Sequence, residues 1–138
     1  MTDLPPSRPA PVPAPVPLRV AALLAALEGV LVVGYAAAEL FSITGSRAVM
    51  GLTTAVFFCV YGVALVYFAW ELTRLRSWAR SPVVLAQLIQ VLLGWSFRGG
   101  STTALAVGLT VAGVVVLVCL FHPASLRALS HEQGREQG

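Results

Sequence analysis

Lysine is absent from the chain, and only 11% of its 138 residues are charged, against roughly 25% in an ordinary soluble domain. A soluble protein this small needs charge over much of its surface, so the composition argues strongly against a soluble enzyme. The nine basic residues are all arginines, placed singly or as the loose trio Arg74, Arg76 and Arg80. Without a basic run or an arginine-rich helix face, nucleic acid is not an expected partner. The two cysteines, Cys59 and Cys119, lie in apolar stretches with neither CxxC spacing nor a nearby histidine pair. That excludes a visible redox or metal motif. A nucleophile–base pair, a zinc helix, a phosphate loop and a dinucleotide turn are missing as well. No catalytic residue, cofactor or metal is expected, and the chain does not read as an enzyme.

Hydrophobic residues make up 57% of the chain. Proline is concentrated at the start, in the alternating run from Pro9 to Pro17, which can neither continue a helix nor join a sheet. Residues 1–18 are therefore expected to be a disordered spacer without the order of regions found in a signal peptide. Beyond it, apolar stretches near 20–41, 49–70, 82–97 and 103–121 are separated by short polar breaks. About 20 helical residues cross the hydrocarbon core, so the sequence predicts an all-α polytopic membrane protein, an antiparallel bundle of four transmembrane helices. The runs are too long and too continuously apolar for barrel strands. Ser81 is expected to cap the third helix, with Pro82 in its first turn. Residues 122–138 form a short tail, in which Leu126 and Leu129 are expected to face lipid.

Orientation follows from arginine. With the N-terminus cytoplasmic, Arg8, Arg19, Arg74, Arg76, Arg80, Arg127 and Arg135 lie inside, and Arg47 and Arg98 outside. This bias places both termini in the cytoplasm and fits a multi-pass protein of the bacterial inner (plasma) membrane.

Polar residues at depth are the candidates for function. Glu28 lies about 12 Å from the cytoplasmic boundary, with Gln90 at a similar depth and Tyr61 at about 14 Å. Thr110 stands slightly higher, and Gln87 shares the third helix with Gln90. Glu28, Tyr61, Gln87, Gln90 and Thr110 form a candidate polar layer. An acid at mid-bilayer costs about 2.5–3.5 kcal/mol, so Glu28 must face the interior and find a donor, Gln90 or Tyr61. Near the outer mouth, Glu39 and Arg98 form a candidate pair. Small residues at four-residue spacing, Ala104, Gly108 and Ala112 on the fourth helix, let backbones approach closely. They are expected to pack within the monomer first, and against another membrane protein or a second copy next. Ala25, Gly29, Gly34 and Ala38 repeat that spacing on the first helix.

The Glu28 helix, the loop Arg74-Leu-Arg-Ser-Trp-Ala-Arg80-Ser-Pro82, Gln87, Gln90 and the exit His122-Pro123 resemble those of the small four-helix integral membrane proteins abundant in actinobacteria. That resemblance implies membrane location and topology, and no set activity. In length, span number and the position of Glu28 the chain is also similar to small multidrug resistance transporters, in which the matching glutamate binds protons and drugs. It departs from them in its arginine bias and in lacking their proline, tryptophan and glycine signatures around Tyr61 and Gln90. The expected role is structural, accessory or subunit-like in the bilayer. The alternative is a proton-coupled exporter of small lipophilic cations working through Glu28.

Overall fold

The computed structural model describes residues 13–42, 45, 48–96, 99 and 103–136, and the described residues form helices and no strand. There are five: α1 (Val16–Ser42), α2 (Ala48–Thr73), α3 (Arg80–Ser96), α4 (Thr103–Phe121) and α5 (Pro123–Glu136). A 3-10 turn, Ser77–Ala79, precedes α3. The stretches Val16–Phe41 and Ala48–Thr73 are each long and apolar enough to cross a membrane. A third candidate is the pair Ala106–Phe121 and Pro123–His131, bent by 55°.

Helix α1 begins inside the proline run, which corrects the expected spacer boundary at residue 18. Pro17 falls in the first turn, where its missing N–H breaks no helical bond, and Arg19 N–H closes that turn on the Pro15 carbonyl at 3.1 Å. Leu18 is fully buried. Residues 1–12 lie outside the described residues.

Helix α2 ends in a Schellman motif. Arg76 N–H reaches the Glu71 carbonyl at 3.2 Å and Leu75 N–H the Leu72 carbonyl at 3.1 Å. Leu75 takes the left-handed position usually given to glycine, with φ 61°. Its side chain is kept there by packing on the buried core. Ser81 lies inside the first turn of α3 rather than capping it, because the 3-10 turn starts the helix at Arg80. At the far end of α4, Pro123 breaks the helix, and Ala124 N–H donates to His122 Nδ1 at 3.2 Å, so His122 caps α5.

Helix α1 packs chiefly on α2, and α3 on α4. Contact between α1 and α4 joins the two pairs, while α2 and α3 touch lightly. The main core gathers where α1 and α3 start and α2 and α4 end, around Leu18, Leu65, Leu72, Val83, Val116 and Leu120. Leu129 of α5 joins it at 3% exposure, so this leucine faces inward and not outward to lipid; Leu126 is half-buried. Elsewhere the helices turn apolar side chains outward. Only 17% of the most apolar window of α2 is buried within the chain, leaving Phe57, Val60 and Val63 to meet an apolar solvent.

Helices α1 and α2 cross closely at Gly29 and Gly62. A Cβ on Gly62 would fall 2.6 Å from the Gly29 carbonyl oxygen and 2.8 Å from a methyl of Val33. Backbone cannot yield to a methyl at that distance, so only glycine permits the approach. By contrast, Gly34 and Gly108 have open space around them.

Gly62→Ala is therefore expected to destabilise the fold by about 1–3 kcal/mol through overpacking. Gly34→Ala should stay within about 0.5 kcal/mol of the parent, as an open site does. Thermal unfolding of the detergent-solubilised variants separates the two, and equal effects would mean that the crossing lies elsewhere.

Candidate functional site

Glu28 follows from the geometry of the α1–α2 crossing. Successive helical residues point about 100° apart, so when Gly29 faces α2 its neighbour Glu28 turns toward α3. The residue is 8% exposed. Gln87 Nε2 donates to its Oε2 at 2.7 Å, and Gln90 Nε2 donates to its Oε1 at 2.9 Å. The same Gln90 nitrogen donates to the Leu109 carbonyl of α4 at 3.1 Å. One carboxylate and two amides thus tie together α1, α3 and α4.

Gln87 is completely buried, and its Oε1 has no hydrogen-bond partner among the described residues. That oxygen lies against Gly113 of α4, 3.2 Å from the position a Cβ would take there. Gly113 therefore makes room for the amide. As it stands, Glu28 accepts from both glutamines. A half-turn of the Gln87 amide would present Oε1 to position 28 instead, an acceptor for a donor group there.

Among the described residues, the other expected members of the polar layer make no hydrogen bond to Glu28. Thr110 donates to the Ala106 carbonyl of its own helix at 2.8 Å, and its side chain touches Gly94, seating α3 against α4. Among the described residues the hydrogen bonds to Glu28 come from the two glutamines and not from Tyr61, whose ring stacks on Phe57 at 6.3 Å. Tyr61 also lines a cavity of about 180 Å³ between α2 and α3, with Phe68, Leu85 and Ile89. Of the outer-mouth pair, Glu39 accepts from Tyr35 Oη at 2.9 Å, and Arg98 lies outside the described residues. Ala104 and Gly108 are exposed and Ala112 is half-buried. On α1, Ala25 and Gly29 are buried whereas Gly34 and Ala38 are exposed.

Sequence reasoning passed over Glu71. It is 7% exposed at the end of α2, with Arg74 Nη1 at 3.7 Å and Arg76 Nε at 3.9 Å. The available signal was an acid placed three and five residues before two arginines. Among the described residues no three histidine, cysteine or acidic side chains gather as a metal site. Compared with protein-family models, curated proteins and solved structures, the chain matches none.

Two substitutions at one position separate hydrogen bonding from charge. Glu28→Leu strands the donors of Gln87 and Gln90 and is expected to cost about 2–4 kcal/mol. In Glu28→Gln the new amide can still accept from Gln90 and donate to a turned Gln87 Oε1, so the loss should stay within about 1 kcal/mol. Chemical or thermal unfolding in detergent reads the difference, and equal losses would show that charge, not hydrogen bonding, matters at this position.

Proposed function

We propose that the chain is a small integral membrane protein with a structural, accessory or subunit role, crossing the bacterial plasma membrane four times with both termini cytoplasmic. The observation that carries this reading is the enclosure of Glu28. Both carboxylate oxygens are occupied by amides from a neighbouring helix, which fixes helix register and leaves little of the group to offer a substrate. Four spans agree with the lengths of α3 and α4, 17 and 19 residues, which reach about 25–28 Å at 1.5 Å per residue. Arg74, Arg76 and Arg80 at one end of the helices, with Arg19 and Arg127, support the cytoplasmic assignment of that end. Ala104 and Gly108 supply the face for a partner, since Gly108 has open space where a neighbouring helix could approach. That partner is another membrane protein or a second copy of this chain.

A second reading, proton-coupled export of small lipophilic cations, is favoured by one feature. The lightly packed gap between α2 and α3 holds an aromatic, apolar cavity beside Tyr61. The position of Glu28 in the first helix parallels that of the glutamate in small multidrug resistance transporters.

Vesicles reconstituted with the parent and with Glu28→Gln, loaded with a fluorescent lipophilic cation and given a proton gradient, decide between the readings. The accessory role predicts the same passive leak from both. Gradient-driven efflux by the parent that disappears in Glu28→Gln would replace it with transport.

A further inference from the structure

A cavity of about 530 Å³ lies away from Glu28, between the start of α3 and helix α5. Its two sides differ in chemistry. Ser77, Arg80, Ser81, Ser130 and Gln133 bring hydroxyl, guanidinium and amide groups to it. Leu85, Leu88, Phe121 and Leu126 form an apolar wall. Leu85 and Leu88 are 59% and 53% exposed, so the wall continues along the outer surface of α3.

Arg80 is prepared for an anion. Its guanidinium lies over the Phe121 ring, 4.7 Å from the centroid, which holds its flat face and leaves its N–H edges available. Arg74 and Arg76 share the carboxylate of Glu71, but among the described residues no carboxylate pairs with Arg80. The described residues lining the cavity include no acid.

The same end of the molecule carries an aromatic collar. Trp78 packs on Tyr67 and Phe68 at 6.3 and 5.9 Å, Tyr67 on Trp70 at 6.3 Å, and Arg74 covers the Trp70 ring at 4.2 Å. Tryptophan, tyrosine and arginine gathered at the end of long apolar helices mark the depth of lipid headgroups. We propose that this cavity binds one anionic phospholipid, its phosphate on Arg80 and the adjacent hydroxyls, its headgroup toward Ser130 and Gln133, and an acyl chain along Leu85 and Leu88. A water-soluble phosphate ester could meet the polar side, but would leave the leucine wall uncovered. The cavity is of a size usual for small-molecule sites. The proposal rests on the reading that the chain is a membrane protein, and is independent of whether it transports.

Native mass spectrometry of the intact chain in detergent tests it. The additions are palmitoyl-oleoyl phosphatidylglycerol, phosphatidylcholine with the same chains, and glycerol 3-phosphate. One phosphatidylglycerol should bind at least tenfold more tightly than phosphatidylcholine, and glycerol 3-phosphate should not displace it. Arg80→Gln should lose about tenfold in affinity, Phe121→Leu about threefold, and Arg74→Gln little. Phe121→Leu keeps the charge and stands in for Arg80→Gln if that variant does not fold. Equal binding of the two lipids, or affinity unchanged in both cavity variants, overturns the site. Displacement by glycerol 3-phosphate overturns the choice of a lipid over a soluble ester. Recovery of the expressed chain in the soluble fraction after cell breakage would instead overturn the membrane reading beneath it.

Discussion

A carboxylate far from water must be given donors, and that constraint organises this molecule. Glu28 has its donors on α3, and one of them, Gln90, also holds the backbone of α4. Gly29, the next residue, meets Gly62 on α2. Two consecutive positions of α1 therefore fix its relations to three other helices, one by steric fit and one by hydrogen bonding. Neither works at another rotation of α1: a turn of one residue would present a side chain to α2 and remove the carboxylate from the glutamines. In an apolar solvent the hydrophobic effect does not draw helices together, so such specific contacts must set the register.

The opposite strategy appears at the end where α2 finishes and α3 begins. There the chain must turn, and backbone groups are satisfied by the Schellman motif at Leu75, the 3-10 turn and the imidazole of His122. Glu71 gathers Arg74 and Arg76 at the same place. Helix α5, bent 55° from α4 by Pro123, returns Leu129 to the core. Ser125, fully buried, secures the bend by donating to the Cys119 carbonyl at 2.8 Å. The cavity beside Arg80 is bounded by this return. The polar interior and the polar collar thus serve different tasks, registration in one and solvation at a boundary in the other.

Much of this was legible in the sequence, and the parts that were not share a physical cause. Hydropathy and helical rise located the apolar helices and put Glu28 and Gln90 near one level, because both depend on distance along a single helix; Gln87 was not named as a donor. Which neighbours meet depends on the rotation of each helix, which no single helix encodes. Tyr61 was offered as a donor for Glu28 on depth alone, and its ring instead stacks on Phe57. Thr110 has the right height, and its hydroxyl instead turns back to Ala106. Four-residue spacing marked the small residues of α1 and α4 alike, yet Gly29 is enclosed and Gly108 is open. Leu126 and Leu129 suited a lipid-facing helix until the bend at Pro123 turned the second of them inward.

The central claim is that Glu28 and Gln87 stabilise the fold through each other. A double-mutant cycle of Glu28→Leu, Gln87→Leu and the double variant, followed by equilibrium unfolding in detergent, measures this most directly. Removing both partners leaves fewer stranded polar groups than removing either, so the double variant should be more stable than the sum of the single losses by about 1–3 kcal/mol. Losses that add to within about 0.5 kcal/mol would show two independent side chains and contradict the account.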